Sequence, residues 1–363
     1  MNAFQAEIAQ QPAALRDLVD RYSAADLRTP AGLPRPRRVL LTGMGASFHS
    51  ALWASHLLQA RGIWAIAVEA SELLHFSRLL LEGMDCVVAI SQSGRSAEME
   101  PLLDLIPPTL PLIAVTNGSD SPLARRGDVV LPIVAGSEST VATKTYLNTL
   151  AALWLLGQMW DHGERPDDRA AITALAAAVE HLLANAERSS EILCDRLGPF
   201  ERIFFVGHGP HVATARQGAM MMGEWLKRPA VAAGIGAFRH GLIEIADERC
   251  AVVLLGAGGK TATSVDALAS ELASYGTTVL SIVEGRLEDP RHPSPRRRRA
   301  AGRRHMSAAR RFRRTSSSMP LRRSSAMRKA SRASAAPPAT CINAGSPNRA
   351  GSSCAGSTRT GSC

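Results

Sequence analysis

The sequence predicts an α/β protein made of two doubly wound parallel sheets, the second incomplete, followed by a disordered basic tail. Three observations lead there. Short apolar runs alternate with stretches of helical length, the pattern that lays a parallel sheet between two helical layers. The order apolar run, Gly-x-Gly turn, helix occurs twice, at Gly43-Met44-Gly45 and at Gly207-His208-Gly209, which reads as an internal duplication. Beyond Gly285 the alternation stops, and Arg, Ser, Ala, Pro and Gly take over.

Taken in order, residues 1–35 form a helical lead-in, with helix expected over 4–28 and Pro12 ahead of a periodic stretch at 13–22. The first domain, 36–165, opens with a strand at 38–42, a glycine turn and a helix at 48–60. A strand at 65–68, a helix at 72–81, a strand at 85–90 and a helix at 97–106 follow. Strands at 112–116 and 129–133 and a long helix at 143–160 close the unit. Residues 166–198 read as a helical connector. The second domain, 199–285, offers a strand at 202–206, a helix at 212–226 and strands at 251–255 and 278–283. It ends before its sheet is complete, which predicts an open strand edge and an aggregation hazard. Residues 286–363 are the tail.

A chain of 363 residues with 45% apolar residues can supply two buried cores. Its apolar runs fall far short of the roughly 20 residues of a membrane-spanning helix, and its start lacks the layout of a signal peptide, so the expected location is the cytoplasm with no membrane partner. The six cysteines, at 86, 194, 250, 341, 354 and 363, have neither C-x-x-C nor Cys/His ligand spacing, so no metal site or disulfide framework is expected. Cys86 reads as a buried small hydrophobe.

The net charge is +10, but residues 286–363 hold 19 of the 42 Lys+Arg and 2 of the 32 Asp+Glu. That is +17 for the tail and −7 for the rest. Two readings of the tail stand: an out-of-frame translation of a GC-rich gene, which the abrupt switch inside an unfinished domain favours, or a basic arm that would bind nucleic acid by counterion release. Nucleic acid is a partner only on the second reading.

The Gly43-Met44-Gly45-Ala46-Ser47 turn lacks the third glycine of a dinucleotide fingerprint, so no cofactor is expected. The sharper feature is Ser91-Gln92-Ser93-Gly94-Arg95-Ser96, set between a strand and a helix. Three hydroxyls, an amide and backbone N–H groups meet there where a helix dipole favours an anion, which makes a phosphate cradle. Ser96 also reads as the cap of the following helix. A second hydroxyl-rich loop at 137–144 (Ser-Glu-Ser-Thr-Val-Ala-Thr-Lys) belongs to the same carboxyl edge and can share one ligand. Lys144 is either a ligand contact or a solvated helix residue.

The strings TGMGASFHSA, VEASE, ISQSGRSAE and AGSESTVATKTY resemble the SIS (sugar isomerase) module of glutamine–fructose-6-phosphate aminotransferase and related sugar-phosphate isomerases and deaminases. GHGPHVATARQGAMMMGEW and AAGIGAFRHG resemble the second SIS module of those enzymes, and AEIAQQPAAL their lead-in. The resemblance implies a hexose or amino-sugar 6-phosphate as ligand. Ser47, Ser91, Gln92, Ser93 and Ser96 would bind its phosphate, and Val141 and Thr143 would lie beside the sugar. Glu224 matches the acid/base that moves a proton between C1 and C2. His240 matches the histidine that opens the ring, contributed by a neighbouring subunit, which implies a homodimer.

Aldose–ketose chemistry needs a carboxylate to shuttle a carbon-bound proton and a group to exchange protons with the ring oxygen, and Glu and His serve these roles. Three departures count against full aminotransferase activity. No glutaminase half precedes the lead-in, Met221 stands where the family has a lysine and 138–144 is one residue short, and the Arg/Ser segment replaces a lysine-bearing C-terminal tail. A non-catalytic SIS sensor of sugar phosphates is the alternative.

Overall fold

The computed structural model describes residues 2–23, 34–162, 166–256, 261–283 and 286–288. The expectations for 24–28 and for the tail beyond Glu288 lie outside the described residues.

The lead-in is two helices, α1 (Ala3–Ala9) and α2 (Gln11–Ser23), where one region was expected. Asn2 and Gln5 form a reciprocal capping box that starts α1. The first sheet comprises β1 (Arg38–Gly43), β2 (Trp64–Glu69), β3 (Cys86–Ile90), β4 (Leu112–Thr116) and β5 (Val129–Pro132), all parallel in the order β2-β1-β3-β4-β5. Its helices are α3 (Ala46–Ala60), α4 (Ala70–His75), α5 (Met99–Leu105), α6 (Pro122–Arg126) and α7 (Lys144–His162). Alternate strand residues feed opposite layers. Val39, Leu41, Val88 and Ile90 pack with α2, α3 and α7, while Leu40, Val87 and Ala89 pack with Leu73, Met99 and Leu102. Full burial of such side chains contributes about 1.5–3 kcal/mol each, which is why both faces read apolar.

The helix expected over 72–81 is shorter. α4 stops at His75 and a 3-10 turn occupies Arg78–Gly83. Leu73 and Leu81 reach the core, but Phe76 and Leu79 are exposed, so no continuous apolar stripe holds a longer helix. Cys86 is buried, and burial pushes its thiol up to about 12.

The connector is two helices, α8 (Pro166–Ala184) and α9 (Ala186–Leu197). The second sheet contains β6 (Arg202–Gly207), β7 (Val231–Gly234), β8 (Cys250–Gly256), β9 (Thr278–Val283) and β10 (Arg286–Glu288), with α10 (His211–Glu224), α11 (Ile235–Arg239) and α12 (Ala262–Ser274). Its order, β7-β6-β8-β9-β10, repeats that of the first sheet. Four strands are parallel and β10 is antiparallel. Two strands escaped the sequence reading. β7 is four residues rich in Ala and Gly, and β10 lies where the apolar pattern has ended. β10 covers the second half of the β9 edge expected to be open, pairing with Ser281, Ile282 and Val283, and no strand pairs with the first half of that edge among the described residues.

Candidate functional site

From β1 the chain first adds β2 on one side and then β3 on the other, so the loops leaving β1 and β3 part at the carboxyl edge. A crevice at such a switch point is where open α/β sheets bind ligands. Gly43 makes the close approach possible: a Cβ there would stand 2.8 Å from the Ile90 carbonyl oxygen and 2.8 Å from the Ser47 Cβ. Ser47 lies half-buried in the first turn of α3.

Across the crevice, loop 91–96 holds itself. Ser91 is buried, and its Oγ accepts the Gly94 N–H at 3.1 Å. The Ser93 Oγ accepts the Arg95 N–H at 3.2 Å. Accepting through a lone pair leaves each O–H proton free to donate to a ligand. The carbonyl of exposed Gln92 accepts the Asn117 N–H at 3.0 Å, which ties this loop to the one after β4. Gly94 has φ +63°, and a Cβ there would lie 2.1 Å from the Ser121 Oγ. The expected capping role of Ser96 does not appear. The tight turn through Gly94 delays α5 until Met99, Glu98 takes the cap position, and half-buried Ser96 contributes only its carbonyl, to the Met99 N–H at 2.9 Å.

The loop after β5 begins under strain, with β-branched Val134 at φ +53°. Asn117 holds it through the Ala135 N–H at 2.9 Å and the Gly136 carbonyl at 2.7 Å, and Asn148 donates to the carbonyls of Ile133 and Val134. The Glu138 carboxylate caps α7, accepting the N–H groups of Thr143 and Lys144 and the hydroxyls of Thr143 and Thr145. Val141 and Thr143 are buried. Lys144 is not a solvated helix residue: it is 4% exposed, and its Nζ donates to the Gln10 Oε1 at 2.6 Å.

The lead-in grips this loop at a second point. Buried Glu7 accepts the backbone N–H and the hydroxyl of both Ser139 and Thr140. Burial pushes its carboxyl up, but these hydrogen bonds outweigh it and hold the group below the usual carboxylate range.

The second unit reaches the crevice through α10. Gln217, Met220 and Glu224 share one face at i, i+3 and i+7. Gln217 meets His49 and Ala142, and the Met220 Sδ lies 3.7 Å from where a Gly45 Cβ would stand. Arg216 sits over the Phe48 ring, 5.8 Å from its centroid. The face that touches the start of α3 also carries Glu224, exposed and one turn beyond Met220 at the end of α10. Trp225, next to it, stacks on Phe4 with ring centroids 4.5 Å apart.

The structure therefore brings Ser47, loop 91–96, Val141 and Thr143 to the carboxyl edge of the first sheet and lays α10 against it at Gln217 and Met220, while among the described residues no side-chain hydrogen bond or ion pair joins Glu224 to them. His240 is exposed at the end of α11, and among the described residues no side-chain hydrogen bond or ion pair links it to the others. The sequence reading missed Glu7, Gln10, His49 and Gln217. Their partners lie 132, 134, 168 and 75 residues away, so no local spacing signals them. A separate cavity of about 190 Å³, lined by Pro34, Asp85, Cys86, Pro111 and Trp160 among others, opens at the amino end of the same sheet and includes none of the site residues.

Comparison with known proteins agrees with this architecture. The SIS domain pattern matches residues 33–159 and 199–288. The chain is 28% identical over 282 residues to the glutamine–fructose-6-phosphate aminotransferase (isomerizing) of Pyrococcus horikoshii, covering 76% of this chain and 47% of that protein. It thus spans about half the length of the curated relatives it matches. Among solved structures, the C-terminal domain of glucosamine-fructose-6-phosphate aminotransferase from Francisella tularensis superposes with a TM-score of 0.66 at 19% identity, covering 78% of this chain and 84% of that one. Glucosamine-6-phosphate deaminase from Thermotoga maritima gives 0.64 at 19% identity, covering 78% and 86%. At these identities the two structures establish the shared fold.

Proposed function

The chain belongs to the SIS domain family, and we propose that it binds a hexose or amino-sugar 6-phosphate in the β1/β3 crevice and acts on it as an isomerase or deaminase. The observation that supports this reading is the laying of the Glu224-bearing face of α10 along the Gly43–Ser47 turn, beside the hydroxyl loop at 91–96. The phosphate takes donors from Ser47, Ser91, Gln92, Ser93 and Ser96, while Val141 and Thr143 flank the sugar. Glu224 removes the proton from one of C1 and C2 and returns it to the other, and His240 of a second copy exchanges a proton with the ring oxygen. The working unit in this reading is a cytoplasmic homodimer. With glucosamine 6-phosphate and water the products are fructose 6-phosphate and ammonia; with fructose 6-phosphate alone the product is glucose 6-phosphate.

The test measures ammonia release from glucosamine 6-phosphate and interconversion of fructose and glucose 6-phosphates, alongside calorimetric binding of each sugar phosphate. Turnover abolished by Glu224→Gln supports the enzyme. Met221, standing where the resemblance expects a lysine three residues before Glu224, favours a second reading as a sugar-phosphate sensor. Binding without turnover would select that reading, and absence of binding would remove both.

A further inference from the structure

We propose that Gln217 is the positioning residue of this site: one buried amide couples the sugar-flanking loop of the first unit to the Glu224-bearing helix of the second and holds His49 as its Nδ1–H tautomer. The kinetic part rests on the proposed function; the tautomer does not.

Gln217 and His49 are 4% and 9% exposed. The Gln217 Nε2 donates to the Ala142 carbonyl at 3.3 Å, and its Oε1 lies 2.9 Å from the His49 Nδ1. A carbonyl oxygen only accepts, so Ala142 requires the amide to turn its NH₂ toward the loop. That leaves the amide oxygen for the imidazole, and an oxygen accepts only if Nδ1 carries the proton. A backbone carbonyl two hydrogen bonds away therefore fixes the tautomer of His49. Reversing the amide would set two oxygens against each other at Ala142 and an NH₂ against an N–H at His49 if the ring kept its proton there.

Burial pushes the His49 pKa down; Arg216 on α10 acts in the same direction, while the Gln217 bond and Glu69 at the end of β2 oppose it. The net direction keeps the ring neutral near pH 7. Its Nε2 is then a lone-pair acceptor, with no partner among the described residues, two positions beyond Ser47.

The placement gives the amide leverage on both halves of the site. Ala142 lies between Val141 and Thr143, and Glu224 lies seven residues beyond Gln217 on the same helical face. A purely packing role at this helix surface would be met by an apolar side chain, as at Met220, Met221 and Met222 beside it. A buried amide with both ends engaged instead fixes one distance, that between the sugar-flanking loop and the carboxylate. Errors of about 1 Å in such a distance cost about 100-fold in rate. The phosphate loop at 91–96 makes no hydrogen bond to Gln217, so binding of the phosphate is left unchanged.

The first measurement is a long-range ¹H–¹⁵N imidazole spectrum of the full wild-type chain without ligand, which needs no variant to fold. The expected result is a neutral Nδ1–H tautomer for His49 near pH 7; an Nε2–H tautomer or an imidazolium overturns the proposal. Two variants then divide its parts. Gln217→Leu should release the tautomer and lower kcat on glucosamine 6-phosphate about 10- to 100-fold with KM within about two-fold. Gln217→Glu keeps an acceptor for Nδ1–H but sets an oxygen against Ala142, so the tautomer should persist while kcat still falls. Unchanged kcat in both variants overturns the positioning role. A wild-type chain that neither binds nor converts any hexose phosphate overturns the proposed function instead, and the spectrum still decides the tautomer.

Discussion

A methyl group at Gly94 has nowhere to go: the backbone is left-handed there, and the added carbon would overlap the Ser121 hydroxyl. Strain at such a position costs about 1–3 kcal/mol. Gly94→Ala should weaken binding of glucosamine 6-phosphate at least about ten-fold and lower Tm by several degrees; unaltered calorimetric affinity would remove loop 91–96 from the site. Glu7 carries the clearest pH signature. Its folded-state pKa lies below the reference value of 4.5, so its contribution to stability is fully present above that pH and is lost as pH falls through the lower, folded value. Glu7→Gln should therefore lower Tm at pH 7 by a few degrees, and the difference from wild type should shrink steadily on acidification below about 4.5. A pH-independent difference would show that the carboxylate charge is not what grips Ser139 and Thr140.

At the scale of elements, three short pieces matter beyond their length. α1 has seven residues, yet it touches two distant elements, the loop after β5 through Glu7 and Trp225 beside Glu224 through Phe4. β7 completes the parallel order of the second sheet. β10 is three residues long and pairs with the last three residues of β9, shielding half of an edge that sheets otherwise protect with charge or bulges. Leu287→Pro removes a backbone donor and should break that pairing. Light scattering on warming should then begin at lower temperature while the circular-dichroism melt moves little. Equal scattering in the two proteins would mean that the β9 edge needs no cover.

At the scale of the whole molecule, α10 of the second unit lies against the Gly43–Ser47 turn of the first, while His240 stands exposed on one chain. If a second copy supplies it, Glu224→Gln and His240→Asn variants should complement each other. In a mixed dimer one of the two shared sites keeps both residues, so mixing should restore on the order of a quarter of wild-type activity where each variant alone has almost none. No recovery after subunit exchange would place His240 in its own chain's site or outside the chemistry. By itself the sequence determined the α/β class, the repeated strand-turn-helix order and the positions of the hydroxyl loops. Apolar alternation and Gly-x-Gly turns are local signals that propagate directly into local structure. It also offered Glu224 as a candidate, because that residue sits in a contiguous string resembling SIS sequences. Only the tertiary structure decided that α10 lies along the first unit's turn, that Lys144 is buried against Gln10, and that Glu7 and Gln217 hold one loop from two sides. Those facts depend on hydrogen bonds between residues 75 to 168 positions apart, whose partners are chosen by packing and by the need to satisfy buried polar groups. A linear pattern carries the spacing of neighbours, not the identity of what folding brings next to them.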